Sequence, residues 1–187
     1  MKKKTSVILL LNMLLTFFLF PVSSWAEAIE TGSVDLAPNA KSAILLDADT
    51  GTVLYEKNAH DRLPPASITK IMTLLLVMEA LEEEKIRLDE MVTASEHAAS
   101  MGGSQIYLEA GEQMTVEDLL KGVALASGND ASVALAEKIA GSEEMFVQMM
   151  NKRAEELGMK NTHFANSNGL PAENHYSTAH DIALMSR

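Results

Sequence analysis

The sequence contains no cysteine. That absence excludes disulfide frameworks, zinc ribbons, iron–sulfur clusters and thiol catalysis together. Positive charge is also scarce. Fifteen Lys and Arg stand against 26 Asp and Glu, a formal net charge of −11, so the basic footprint of a nucleic-acid binder is missing and no nucleic-acid partner is expected. There is no Gly-x-Ser-x-Gly elbow, no Gly-x-Gly-x-x-Gly and no phosphate loop, which removes the common hydrolase, dinucleotide and nucleotide signatures. What remains is 187 residues, 47% hydrophobic and 22% charged. This is enough apolar material for one packed domain and too little charge for a disordered chain.

The amino-terminal 26 residues read as an export signal rather than as fold. Lys2, Lys3 and Lys4 form a positive patch, and Val7 to Phe20 follow as a 14-residue apolar stretch. A bilayer span takes roughly 20 residues, so this stretch is short for one. Pro21 interrupts it, and Ser24-Trp25-Ala26 supplies small residues of the kind a signal peptidase reads. Cleavage after Ala26 removes three basic residues and no acidic one, leaving 12 against 26 and a net charge of −14. The expected mature chain, residues 27–187, is exported, acidic and free of disulfides.

Along that chain, Ser42 to Asp47 and Thr52 to Lys57 are β-prone runs around Asp49-Thr50-Gly51, a hairpin signal. Leu63-Pro64-Pro65-Ala66 is a stiff lead-in. The pattern then turns helical from Ser67 to about Lys85, apolar on nearly every face, as for a helix buried mid-domain. Thr115 and Asp118 have capping-box spacing and open a helix running to about Ala126. Further helices are predicted over Asp130–Ala140, Ser142–Leu157 and from Thr178 onward. Many helices and a single two-stranded ribbon make a lopsided count, because such a ribbon is marginal alone. The sequence reads as stopping before its own sheet is finished.

Chemistry points first to Ser67 and Lys70. Residues three apart share a helix face, so hydroxyl and amine can come within hydrogen-bond reach. Burial against an apolar helix, beside its positive end, disfavours the ammonium and lowers the lysine pKa, which lets the amine take a serine proton. Free N–H groups at the helix start can face an oxyanion. Ser127-Gly128-Asn129 falls between two helices. Its hydroxyl and amide, two residues apart, can point into one cleft, one to relay a proton and one to position a peptide backbone. The five histidines are scattered and carry no metalloprotease pattern, so they read as solvated or capping groups, and neither metal nor cofactor is expected. The 12 methionines fall mostly at apolar helix positions and read as core.

Ser-x-x-Lys followed by Ser-x-Asn, with 57 residues from Lys70 to Ser127, resembles the penicillin-binding proteins and serine β-lactamases. The segments Pro65-Ala66-Ser67-Ile68-Thr69-Lys70, Gly102-Gly103-Ser104, Thr115 to Leu120 and Ser127-Gly128-Asn129-Asp130-Ala131 are similar to the low-molecular-mass D-alanyl-D-alanine carboxypeptidases. Gly169-Leu170 to Ala179 agrees. The resemblance implies an α+β fold of the β-lactamase/DD-peptidase type: an antiparallel sheet, here only its N-terminal hairpin, packed with helices, plus an all-helical subdomain. It implies catalysis by Ser67 as nucleophile, Lys70 as general base and Ser127 as proton relay, with Asn129 binding substrate. The substrate would be a peptidoglycan stem peptide ending in D-Ala-D-Ala, and β-lactam antibiotics would acylate Ser67. The family's third motif, Lys-Thr-Gly or Lys-Ser-Gly, does not occur here. In family members it follows the region where this sequence ends, so 27–187 reads as the N-terminal part of the catalytic domain. A C-terminal amphipathic anchor, giving peripheral membrane association, would also lie further on. A serine β-lactamase and a non-catalytic β-lactam-sensing or wall-binding protein of the same fold are the alternatives. Gly128 argues against the former, since class A β-lactamases carry aspartate there.

Overall fold

Asp47 turns the first hairpin. The Thr50 N–H and O–H both donate to Asp47 Oδ1 at 2.7 Å, and the N–H of Gly51 returns to the Asp47 carbonyl at 2.8 Å. Strands β1 (Ala43–Leu46) and β2 (Val53–Lys57) pair antiparallel, Ala43 opposite Lys57 and Leu45 opposite Tyr55, with a bulge between Leu45 and Leu46. This computed structural model describes residues 35–187, so the expected export signal lies outside the described residues. Leu36–Arg187 is one compact unit.

Six α-helices follow: α1 (Lys70–Glu82), α2 (Glu96–Ala99), α3 (Val116–Ala126), α4 (Asn129–Ala140), α5 (Glu143–Glu156) and α6 (Ala179–Ser186). Four of the starts, those of α2, α3, α5 and α6, are set by side-chain caps, which satisfy N–H groups that a first turn leaves orphaned. Thr115 Oγ1 accepts from Asp118 N at 3.1 Å, Ser142 Oγ from Met145 N at 3.2 Å and Thr178 Oγ1 from Asp181 N at 3.0 Å. None of the helices among the described residues is long and apolar enough to cross a membrane.

The antiparallel content is not limited to the N-terminal hairpin. A second ribbon pairs β3 (Met91–Thr93) with β4 (Gln113–Thr115), Met91 opposite Thr115, in a stretch to which the sequence pattern assigns no strand. Three-residue strands are too short to show a period-two pattern, which is why composition and periodicity did not reveal this ribbon.

Two apolar clusters make the core, and both are built on α1 and α4. One gathers Val77 and Ala80 of α1 with Leu119 and Val123 of α3 and Ala131, Ala134 and Leu135 of α4. The other gathers Met72 and Leu76 of α1 with Phe146 and Met150 of α5, Phe164 and Met185. The alanines of α4 present little volume, so the α4 backbone lies close against its neighbours. Each fully buried large side chain contributes roughly 1.5–3 kcal/mol. Burial of α1 is less complete than its composition implies. Ile71 and Met78 are 37% and 56% exposed.

Candidate active site

Two prolines and a strained alanine shape the turn that carries Ser67. Pro64 and Pro65 stiffen the approach, Pro65 lying in the helical region at φ −76°, ψ −17° rather than extended, then Ala66 takes φ 49°, a left-handed value that costs a residue with a Cβ on the order of 1 kcal/mol. A 3₁₀ turn over Ala66–Thr69 follows, and α1 begins only at Lys70. The helix expected from Ser67 to about Lys85 is therefore a 3₁₀ turn followed by an α-helix that ends at Glu82. This difference matters for the chemistry. With three residues per turn, positions i and i+3 eclipse, and Lys70 Nζ lies 3.3 Å from Ser67 Oγ. The hydroxyl bearer is exposed, whereas Lys70 is 4% exposed. Among the described residues, the Ser67 N–H donates to no protein acceptor.

Lys70 Nζ has two shorter contacts: Asn129 Oδ1 at 2.7 Å and the Asn168 carbonyl at 2.6 Å. Burial lowers its pKa from 10.5 to about 8. An ammonium uses all three protons on these three oxygens. The neutral amine keeps its two N–H bonds to Asn129 and Asn168 and turns its lone pair to Ser67. The two strong acceptors thus aim the basic site at the hydroxyl.

Asn129 is the first residue of α4 and is fixed at both ends of its amide. Its Oδ1 accepts from Lys70, its Nδ2 donates to the Gly102 carbonyl at 2.7 Å, and its own N–H donates to the Ser104 carbonyl at 2.8 Å. The stretch just beyond Ser104, residues 106–108, is tied down by buried Asp130. The Asp130 carboxylate accepts from Ile106 N at 3.1 Å and Leu108 N at 3.0 Å, on either side of Tyr107, which is held at φ 63° and is 80% exposed. Ser127 caps α3 in the left-handed region at φ 55°. It stands two residues before Asn129 and is half-buried, and its hydroxyl bonds to no described residue. The structure therefore joins Ser67, Lys70 and Asn129 directly, with Ser127 beside them but unbonded to any of the three.

Composition and spacing did not single out the fourth wall, the loop from Asn166 to Leu170. Asn166 Oδ1 accepts from Gly169 N at 2.7 Å, and its Nδ2 donates to the Leu170 carbonyl at 2.9 Å, a side-chain-stapled turn. The Ser167 carbonyl accepts from Thr73 Oγ1 at 2.6 Å and Ser132 Oγ at 2.8 Å, which locks the loop to α1 and α4. The run Asn166-Ser167-Asn168-Gly169 is a turn signature, but nothing local says that its carbonyl meets Lys70.

His175 departs from the expectation of solvated or capping histidines. It is 7% exposed, with Nε2 2.8 Å from Thr69 Oγ1 and Nδ1 accepting from Ala165 N at 2.9 Å. A ring that accepts at Nδ1 is neutral and carries its proton at Nε2. Burial, reinforced by His163, holds its pKa below 6.5. A depressed folded-state pKa contributes stability that is complete above the unfolded value and is lost as pH falls through the folded one. Acidification from about pH 7.5 to 5.5 is expected to lower the melting temperature of the wild type more than that of His175→Gln. Equal drops in calorimetry would show that another group titrates.

An exposed serine hydroxyl 3.3 Å from a buried lysine amine, with an asparagine amide opposite and an N–H at the serine without a described protein acceptor, is an arrangement suited to acyl transfer through a serine. Comparison with known proteins identifies the family. Residues 29–187 match the peptidase S11 family, D-alanyl-D-alanine carboxypeptidase. D-alanyl-D-alanine carboxypeptidase DacF of Bacillus subtilis (strain 168) is 58% identical over all of this chain and 47% of its own length. DacC of Escherichia coli (strain K12), another D-alanyl-D-alanine carboxypeptidase, is 44% identical over 91% of this chain and 44% of its own. The crystal structure of the D-alanyl-D-alanine carboxypeptidase DacD from Francisella tularensis superposes with a TM-score of 0.77 at 44% identity, covering 79% of this chain and 36% of that one. Penicillin binding protein 5 from Haemophilus influenzae superposes at 0.76 and 41% identity, over 79% and 44%. The chain belongs to the S11 family of D-alanyl-D-alanine carboxypeptidases and has their DD-peptidase fold. It spans about half the length of the curated relatives it matches.

Proposed function

We propose that the intact protein is a serine-type D-Ala-D-Ala carboxypeptidase that removes the terminal D-alanine from peptidoglycan stem peptides. The observation that carries this reading is the buried, pKa-lowered Lys70 amine aimed at Ser67 Oγ from 3.3 Å. The neutral amine takes the hydroxyl proton as Oγ bonds to the penultimate D-alanine carbonyl carbon. The resulting oxyanion is met by the Ser67 N–H. The C–N bond then breaks, and the proton held on Lys70 passes to the leaving amine with the Ser127 hydroxyl as relay. Free D-alanine departs. Water adds to the acyl carbon, the ester bond to Oγ breaks, and Ser67 regains its proton. Asn129, anchored at both ends of its amide, lines the cleft and contacts the substrate backbone.

The same serine is open to β-lactams, whose acyl group would leave slowly. Export on the amino-terminal Lys2–Ala26 segment supports action at the outer face of the bacterial cytoplasmic membrane or in the cell wall. Two measurements test the reading: labelling with a fluorescent penicillin, and D-alanine release from a pentapeptide. Lasting label with D-alanine release is the expected outcome. Label lost within seconds would instead indicate a β-lactamase, and lasting label without release a β-lactam sensor.

A further inference from the structure

Glu143 takes no part in the proposed chemistry, yet it is bound to the loop that faces Lys70. It sits in the first turn of α5, just after the Ser142 cap, with its side chain 15% exposed. One carboxylate oxygen, Oε1, accepts both the Ser167 N–H at 2.9 Å and the Ser167 O–H at 2.7 Å. The other, Oε2, is 2.7 Å from His97 Nε2 of α2. Burial opposes the charge, but the bonds from the Ser167 N–H, the Ser167 O–H and His97 outweigh it, and the carboxyl stays below its usual 4.5. The next peptide carbonyl along, Asn168 O, is the closest acceptor of Lys70 Nζ at 2.6 Å.

We propose that Glu143 is a positioning residue for the general base: by clamping Ser167 it fixes the Asn168 carbonyl that orients the Lys70 amine toward Ser67. The Ser167 carbonyl is anchored by Thr73 and Ser132, while its N–H and hydroxyl are held by Glu143. Ser167, one residue before the carbonyl that meets Lys70, is therefore gripped from both sides. Without Glu143, Ser167 keeps only its carbonyl anchors, and the Asn166-stapled turn can shift as a unit relative to Lys70. A displacement of about 1 Å in such a constellation can cost on the order of 100-fold in rate. Acceptance of two hydrogen bonds, rather than negative charge, is the required property. The inference rests on the serine–lysine reading above.

The test uses the intact protein with Glu143→Ala, Glu143→Gln and Ser167→Ala, following D-alanine release and the rate of acylation by a fluorescent penicillin. Glu143→Ala is expected to lower kcat about tenfold or more with KM within about twofold. Glu143→Gln, whose amide oxygen still accepts both bonds, is expected within about threefold of wild type. Wild-type kcat in Glu143→Ala, a glutamine variant as slow as the alanine one, or a rise in KM alone would each overturn the proposal. If Glu143→Ala does not fold, Ser167→Ala decides. It deletes one of the two bonds and is expected to lower kcat a few-fold with KM unchanged, whereas a wild-type kcat overturns the proposal. A wild-type protein that is acylated but releases no D-alanine would overturn the carboxypeptidase reading alone, and the acylation rates of the three variants would still test the clamp.

Discussion

Ser67→Ala in the intact protein is expected to abolish covalent penicillin labelling, and Lys70→Ala to slow it by roughly a thousandfold. The first effect is total because the ester bond forms on Oγ and no other described hydroxyl stands 3.3 Å from a buried amine. The second has the magnitude usual for losing a positioned general base, about 10² to 10⁴. Its pH signature follows from burial. Lys70 must be neutral to accept the proton, and its pKa is about 8, so wild-type acylation is expected to rise with pH and reach half its plateau near pH 8. In the alanine variant that limb should vanish with the rate. Stability has its own sign. Below pH 8 the ammonium is present in both folded and unfolded chains, and burying it costs on the order of 3 kcal/mol, from the displacement of its pKa. Replacing it removes that cost but leaves Asn129 Oδ1 and the Asn168 carbonyl without their Lys70 donor, two opposing effects of similar size, so Lys70→Ala is expected to melt within a few degrees of wild type. Stopped-flow labelling and calorimetry on the same samples check both halves. Labelling of Ser67→Ala at wild-type extent would refute the nucleophile assignment.

The contrast between what local sequence reveals and what it hides runs through this site. Ser67 and Lys70 were legible because their relation is local, three residues apart, and because the apolar letters around Lys70 signal burial, although of Ile68, Ile71 and Met72 only Met72 is buried. The start of α3 was equally plain, since Thr115 and Asp118 carry the capping chemistry three letters apart. By contrast, the Asn168 carbonyl reaches Lys70 across 98 residues of chain. Every residue has a carbonyl, so no letter marks that one. His175 looks like any other histidine until Thr69 and Ala165 close around it from opposite directions. The 3₁₀ turn that eclipses Ser67 and Lys70 depends on Ala66 holding a left-handed angle, and its carbonyl lies in a long-range backbone contact that no local pattern reveals.

That contact is with Gly169, and Gly169→Ala is expected to cripple acylation while leaving both apolar clusters in place. Gly169 adopts φ 91°, a region open to glycine and costly for any residue with a Cβ. A Cβ built there would overlap the carbonyl of Ala66 and come 3.0 Å from Ser67 N. Both neighbours are backbone, so neither can swing aside as a side chain would. The methyl group must therefore push apart the Ala66 turn and the Asn166–Leu170 loop, the two walls that present Ser67 Oγ and the Asn168 carbonyl to Lys70. Separating them damages nucleophile and base together. A loss of roughly 100-fold or more in acylation rate is expected, with a melting temperature lowered by strain of about 1–3 kcal/mol. The pH limb near 8 should shift as well, because a loosened loop no longer excludes water from Lys70. A Gly169→Ala protein that labels at the wild-type rate would mean that the two backbones do not touch in solution. The arrangement of Ser67 against Lys70 would then need another support.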